Sequence, residues 1–176
     1  MNRFNFIEQS NAYQSGLTCL SMICRYYGRH VNLTASSSHY KSVEESLEQV
    51  SSNAEKLGLS CVIGYLPVSK LSKVTLPCLL YWDDKYYVIL HKVKFNTYYV
   101  ADPTKRLIKY NQAKVKRYCV NSHITNEEKI VAVFIKPTDE FYKQAKEHNQ
   151  LIKENSIWGY IKHLFSRGKM ETYNNR

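Results

Sequence analysis

The chain holds no uninterrupted apolar run of about 18 or more residues, the length needed to cross a bilayer as a helix. Its first eight residues, Met1-Asn2-Arg3-Phe4-Asn5-Phe6-Ile7-Glu8, lack the long apolar centre of a secretory signal. No pair of cysteines is spaced Cys-x-x-Cys, and the Cys and His residues are not clustered at ligand spacing, so the sequence points to no metal site. No Gly-x-x-x-x-Gly-Lys-Ser/Thr segment occurs, so ATP binding is not expected in this stretch, and the sequence calls for no other cofactor. Repeats and low-complexity segments are absent too. Acidic residues are scarce: 15 Asp and Glu stand against 25 Lys and Arg, a net charge of +10. Such a balance suits an acidic partner or simply a soluble basic surface. The charge is dispersed and carries no RNA-binding signature or zinc-finger spacing, so nucleic acid is set aside.

What is present is a globular domain. The 176 residues, 44% of them apolar, suffice for one core, or a core with an appendage, and exclude full disorder. Five cysteines, at 19, 24, 61, 78 and 119, lie mostly in apolar runs and read as buried reduced thiols. Residues 14 to 27 have a wide apolar face at helical spacing, with Gly28 as a stop; residues 42 to 57 repeat the pattern and end at Gly58. The period then changes. Strands are predicted over Ser60–Gly64, Leu76–Trp82, Tyr86–Val93, Thr97–Ala101 and Ile130–Ile135, with a turn at Phe95-Asn96 and a strand end at Asp102-Pro103. Helices first and strands afterwards predict an α+β fold. Past Pro137 the chain becomes highly charged. Around Ile157, Trp158, Ile161, Leu164 and Phe165 it reads as a basic amphipathic helix, suited either to a membrane surface through residues 155–169 or to packing on protein. A domain over 1–137 followed by a linker and helix over 138–176 is the expected organisation.

One segment carries specific chemistry: Gln9, four residues, then Gln14-Ser15-Gly16-Leu17-Thr18-Cys19-Leu20-Ser21-Met22-Ile23, closing on Tyr26-Tyr27-Gly28. It resembles the opening motif of the double-glycine leader peptidases, cysteine peptidase family 39, which stand at the N-terminus of bacterial peptide-exporting ABC transporters. In that motif a glutamine is followed by four residues, then Asp-Cys-Gly. Leu76-Pro77-Cys78-Leu79-Leu80-Tyr81-Trp82 resembles the family strand that leads to the catalytic histidine, and Tyr86-Tyr87-Val88-Ile89 stands where the family has His-Phe/Tyr-Val-Val. Tyr99-Val100-Ala101-Asp102-Pro103 matches its Ala-Asp-Pro, and Ala54-Glu55-Lys56-Leu57-Gly58 matches another recurrent segment. The resemblance covers about residues 1 to 137, and residues 138 to 170 look like the link before a first membrane helix.

The resemblance implies a papain-like α+β peptidase fold, with N-terminal helices packed on an antiparallel sheet. It places Ser15 at the nucleophile position, Tyr86 at that of the base, Asp102 at that of the residue orienting the base, and Gln9 at that of the oxyanion donor. In such a site a thiolate forms at a helix N-terminus, an imidazole deprotonates it, and an amide steadies the developing oxyanion. Here a hydroxyl replaces the thiol, and a phenol, with a usual pKa of about 10, replaces the imidazole; neither is equipped for hydrolysis near neutral pH. Gln14 also replaces the acidic neighbour of the nucleophile. His91, five residues beyond Tyr86 on a strand, is expected on the opposite face of the sheet, and His39 lies in a polar loop with no motif around it.

Non-catalytic family members, such as the N-terminal domain of the haemolysin-type exporter, bind the unfolded transport substrate. The resemblance therefore implies a domain at the cytoplasmic face of the bacterial inner membrane. It would dock an unfolded peptide or protein beside the exporter's membrane and ATPase domains. Trp82, Tyr86 and Gln14 are the expected substrate contacts, within a chain rich in tyrosine. Two alternatives remain: a leader peptidase seen with its cysteine changed to serine, and a domain that only gates or stabilises the exporter.

Overall fold

The computed structural model describes residues 4–9, 14–33, 42–119 and 129–147. Helix α1 spans Ser15–Tyr26. Its C-terminus closes as a Schellman motif: the Arg29 N–H donates to the Cys24 carbonyl and the Gly28 N–H to that of Arg25. Gly28 occupies the left-handed position this closure requires, at φ +92°. Helix α2, Val43–Lys56, starts at Ser42, whose Oγ accepts the Glu45 N–H, and Glu44 and Glu45 in the first turn complement the helix dipole.

Six strands follow: β1 Leu59–Leu66, β2 Cys78–Trp82, β3 Tyr86–Lys94, β4 Thr97–Asp102, β5 Arg106–Asn111 and β6 Ile130–Pro137. They form one sheet in the order β1-β6-β2-β3-β4-β5, with every neighbouring pair antiparallel. The α+β fold with N-terminal helices on an antiparallel sheet is therefore as expected. The hairpin turns carry the backbone they need. Asp83 and Asp84, and again Phe95 and Asn96, all have positive φ, so each turn's twist matches that of its flanking strands.

The sheet is covered on both sides. Leu79, Tyr81, Tyr87 and Ile89 pack with α1 and α2 on one face, while Leu80, Trp82, Val88 and Val100 pack with helix α3, Gln112–Cys119, and the short 3-10 helix Val68–Lys73 on the other. Burial on both faces is why β2 reads as a continuous apolar run instead of an alternation.

Strand β5 and helix α3 were not among the predicted elements. β5 is an edge strand with mostly exposed side chains, and α3 is short and buries Val115 and Cys119. A local signal for α3 does exist: the Asn111 side-chain carbonyl accepts the Lys114 N–H, as a helix N-cap does.

The packed body also extends past the boundary expected at 137. Residues 139–147 are helical, and Phe141 is wholly buried in the α1–α2 side of the core. Arg29 Nη1 donates to the Leu57 carbonyl and to Gln144 Oε1, both within 2.9 Å, and so ties this helix to the end of α2. The amphipathic stretch 155–169 lies outside the described residues.

Candidate active site

The first two residues of β3 organise the site. Their side chains point to opposite faces, as strand geometry dictates. Tyr86 belongs to the Trp82 face and Tyr87 to the α1 face. Tyr87 meets the start of α1: its backbone N–H donates to Ser15 Oγ at 3.1 Å, and its carbonyl accepts from Cys19 Sγ at 3.5 Å. The Ser46 hydroxyl reaches Tyr87 Oη at 3.0 Å, which pins the ring against α2. Gly16 admits this approach, because a Cβ there would come 2.8 Å from Val50 Cγ2 and 3.4 Å from the Tyr87 ring. Ser15 is therefore buried at a helix N-terminus with a backbone amide on its oxygen.

Tyr86 turns the other way. Its hydroxyl donates to Asp102 Oδ2 at 3.1 Å. Asp102 is completely buried, yet its carboxylate is well supplied with donors. The Thr104 N–H and hydroxyl reach Oδ1 at 3.0 and 2.6 Å, and Lys105 Nζ lies 3.7 Å from Oδ2. Burial and the neighbouring Asp102 charge raise the Tyr86 pKa far above its ordinary value of 10.0. This phenol holds its proton through the neutral range and spends it on Asp102.

Gln9 joins the same corner through its main chain, donating its N–H to the Pro103 carbonyl at 2.9 Å. Its side-chain Oε1 is buried without a partner among the described residues. The four positions of the expected catalytic set thus lie around one junction: Gln9 and Asp102 at the β4–β5 turn, Tyr86 beside them, and Ser15 on the amide of the next residue. Gln14 is the half-buried residue preceding α1, and its carbonyl accepts the Thr18 N–H.

Trp82 requires a correction. It was expected to contact substrate, but only 1% of it is exposed. Its indole stacks on Tyr118, with centroids 5.1 Å apart and planes at 20°, and leans on Tyr110. It does share a face with Tyr86, which it opposes in register, but α3 covers that face. Alternation along a strand reveals shared sides and not which side is open. Tyr81 and Tyr87 are buried as well, so this stretch of aromatics is core and not a recognition surface.

Two other side chains, Cys19 and His91, carry a nucleophilic or basic group. Cys19 lies one turn beyond Ser15, but burial, and secondarily the Asp102 charge, push its thiol well above its usual pKa, opposite to what a nucleophile needs. His91 stacks on Phe4 at 4.6 Å on the α1 face, away from Tyr86, as expected. His39 lies outside the described residues. Among the described residues, no group of three or more Cys, His, Asp or Glu could hold a metal ion.

A helix N-terminus set against a strand of an antiparallel sheet, with an aspartate on the next strand, is the framework of a papain-like peptidase. The chain belongs to the Peptidase C39 family, which matches residues 3–128. It is 27% identical over 161 residues to the probable microcin-H47 secretion/processing ATP-binding protein MchF of Escherichia coli; that match takes in 89% of this chain but 22% of MchF. The chain thus spans about a fifth of the length of its curated relatives. Among solved structures, it is similar to a double-glycine-motif protease from an AMS/PCAT transporter in complex with the leader peptide. The TM-score is 0.61 at 23% identity, covering 77% of this chain and 93% of the other. It is also similar to the peptidase domain of Streptococcus ComA, a bi-functional ABC transporter, with TM-score 0.61, 13% identity and coverage of 77% and 100%. At these identities the structures establish the fold.

Proposed function

We propose that this chain is a peptidase-family domain of a bacterial ABC exporter that docks its peptide or protein cargo at the cytoplasmic face of the inner membrane without cutting it. The observation that carries this reading is the Tyr86–Asp102 hydrogen bond. A protonated phenol sealed onto the aspartate occupies the base position, so nothing there can take the Ser15 proton at neutral pH. Ser15 Oγ meanwhile accepts a backbone N–H, which orients the hydroxyl without making it more nucleophilic. The relation to a curated secretion/processing protein supports the exporter context. The membrane and ATPase modules are the partners this reading requires.

The competing reading is a leader peptidase whose cysteine has become Ser15. Retention of Gln9 and of a donor-rich Asp102 favours it. Intact-mass analysis of the Ser15→Cys variant mixed with double-glycine leader peptides separates the two. Docking predicts no cleavage, together with binding of unfolded cargo by the unmodified chain. Cleavage by the variant alone would overturn it in favour of the peptidase. Neither cleavage nor binding would leave a gating or stabilising role in the exporter.

A further inference from the structure

Away from Ser15, at the far end of α1, two adjoining hollows open on the surface. One, of about 570 Å³, lies between the N-terminal segment and the edge strand β5, and is lined by Phe4, Phe6, Arg25, His30, Arg106 and Leu107 together with Asn5. The other, of about 640 Å³, continues from Arg25 and His30 past Arg29 to Val31 and Leu33. Sharing Arg25 and His30, they make one groove. At about 1.5 Å of rise per residue, Arg25 sits roughly 15 Å along α1 from Ser15.

The groove combines cations with an apolar floor. Among the described residues, its walls hold no carboxylate. Arg25 Nε is buried with no hydrogen-bond partner, and so is Arg29 Nε, although Arg29 spends its Nη1 on Leu57 and Gln144. Arg106 stands in register with Asp102, but that carboxylate is taken by Tyr86, Thr104 and Lys105. Arg25 is half-buried and Arg106 exposed, so both guanidinium groups are within reach of an incoming carboxylate.

We propose that this groove binds an acidic, partly apolar polypeptide segment, with its carboxylates on Arg25 and Arg106 and its apolar side chains over Phe4, Phe6 and Leu107. The concave, elongated shape and apolar floor fit an extended peptide, whereas a lipid surface would meet a flat or convex basic face. The site is separate from the Ser15–Tyr86 junction, so it stands or falls independently of whether that junction cuts, docks or does neither.

The test uses the full 176-residue chain. Fluorescence anisotropy follows a labelled peptide alternating Asp or Glu with Leu or Phe, against a control in which Lys replaces the acidic residues. The acidic peptide should bind and weaken with salt, and the basic one should not bind. Arg25→Gln and Arg106→Gln should each weaken binding about five- to tenfold, the loss expected for one solvent-accessible hydrogen bond of ordinary net strength. Lys70→Gln, which removes one exposed charge on the opposite side of the sheet, should change it less than about twofold. Arg106 is exposed on an edge strand, so its variant stays informative even if Arg25→Gln fails to fold. Equal losses in all three variants, binding only to phosphatidylglycerol vesicles, or no binding of the acidic peptide would each overturn the proposal.

Discussion

Removing the Asp102 carboxylate tests whether this residue acts as a structural pin. In Asp102→Ala, the Thr104 N–H and hydroxyl and the Tyr86 hydroxyl lose an acceptor that is wholly buried. A hydrogen bond to a charged group contributes about 1.5–3 kcal/mol, and a buried donor left unpaired costs about 1–3 kcal/mol. Losses within one network are not additive, so a destabilisation of about 3–5 kcal/mol is expected. For a domain of this size each kcal/mol shifts Tm by about 2–4 °C, so Tm should fall by about 6–20 °C. Tyr86→Phe deletes one donor and leaves Asp102 with Thr104 and Lys105, so about 1–2 kcal/mol is expected. Urea denaturation of both variants and of the double variant completes a cycle. A loss below about 1 kcal/mol in Asp102→Ala, or strict additivity of the two changes, would refute the argument that the network holds this corner together.

Three further outcomes follow from the same structure. Gly58 has φ +76°, and a Cβ there would come 2.5 Å from the Phe141 backbone nitrogen. Gly58→Ala should therefore cost about 2–5 kcal/mol in chemical denaturation, from left-handed strain plus overpacking. Phe95 holds a left-handed φ of 48° while 89% exposed, so Phe95→Gly should stabilise the protein by about 1 kcal/mol, read as a rise in Tm. Because Tyr86 has its pKa raised in the folded state, chiefly by burial, its contribution is intact below the unfolded pKa of about 10 and is lost as pH rises beyond it. Stability should thus fall above about pH 10, and Tyr86→Phe should shallow that fall in denaturation curves recorded across the alkaline range.

Much of the fold is legible locally. Gly28 and Gly58 mark two helix ends because each takes a left-handed backbone. The Phe95-Asn96 hairpin is legible from its flanking β-branched and aromatic runs. The elements that escaped, β5 and α3, have little apolar signal of their own: an edge strand buries few side chains, and a short helix needs few buried contacts. The 139–147 helix was expected outside the domain because its composition is charged. Its place is decided by Phe141 and by the Arg29–Gln144 hydrogen bond, between residues 115 positions apart.

The candidate site divides in the same way. The sequence by itself determined that Gln9, Ser15, Tyr86 and Asp102 are the side chains at the four positions the resemblance singles out. It also determined that Tyr86 and Trp82 share one face of the sheet, since side chains alternate along a strand. Only the tertiary structure decided what that face meets. Helix α3 closes over Trp82, Asp102 accepts the Tyr86 hydroxyl's hydrogen bond, and Ser15 Oγ accepts that of the Tyr87 amide. Burial and pairing of a polar group depend on residues far away in the chain, and local periodicity carries no record of them.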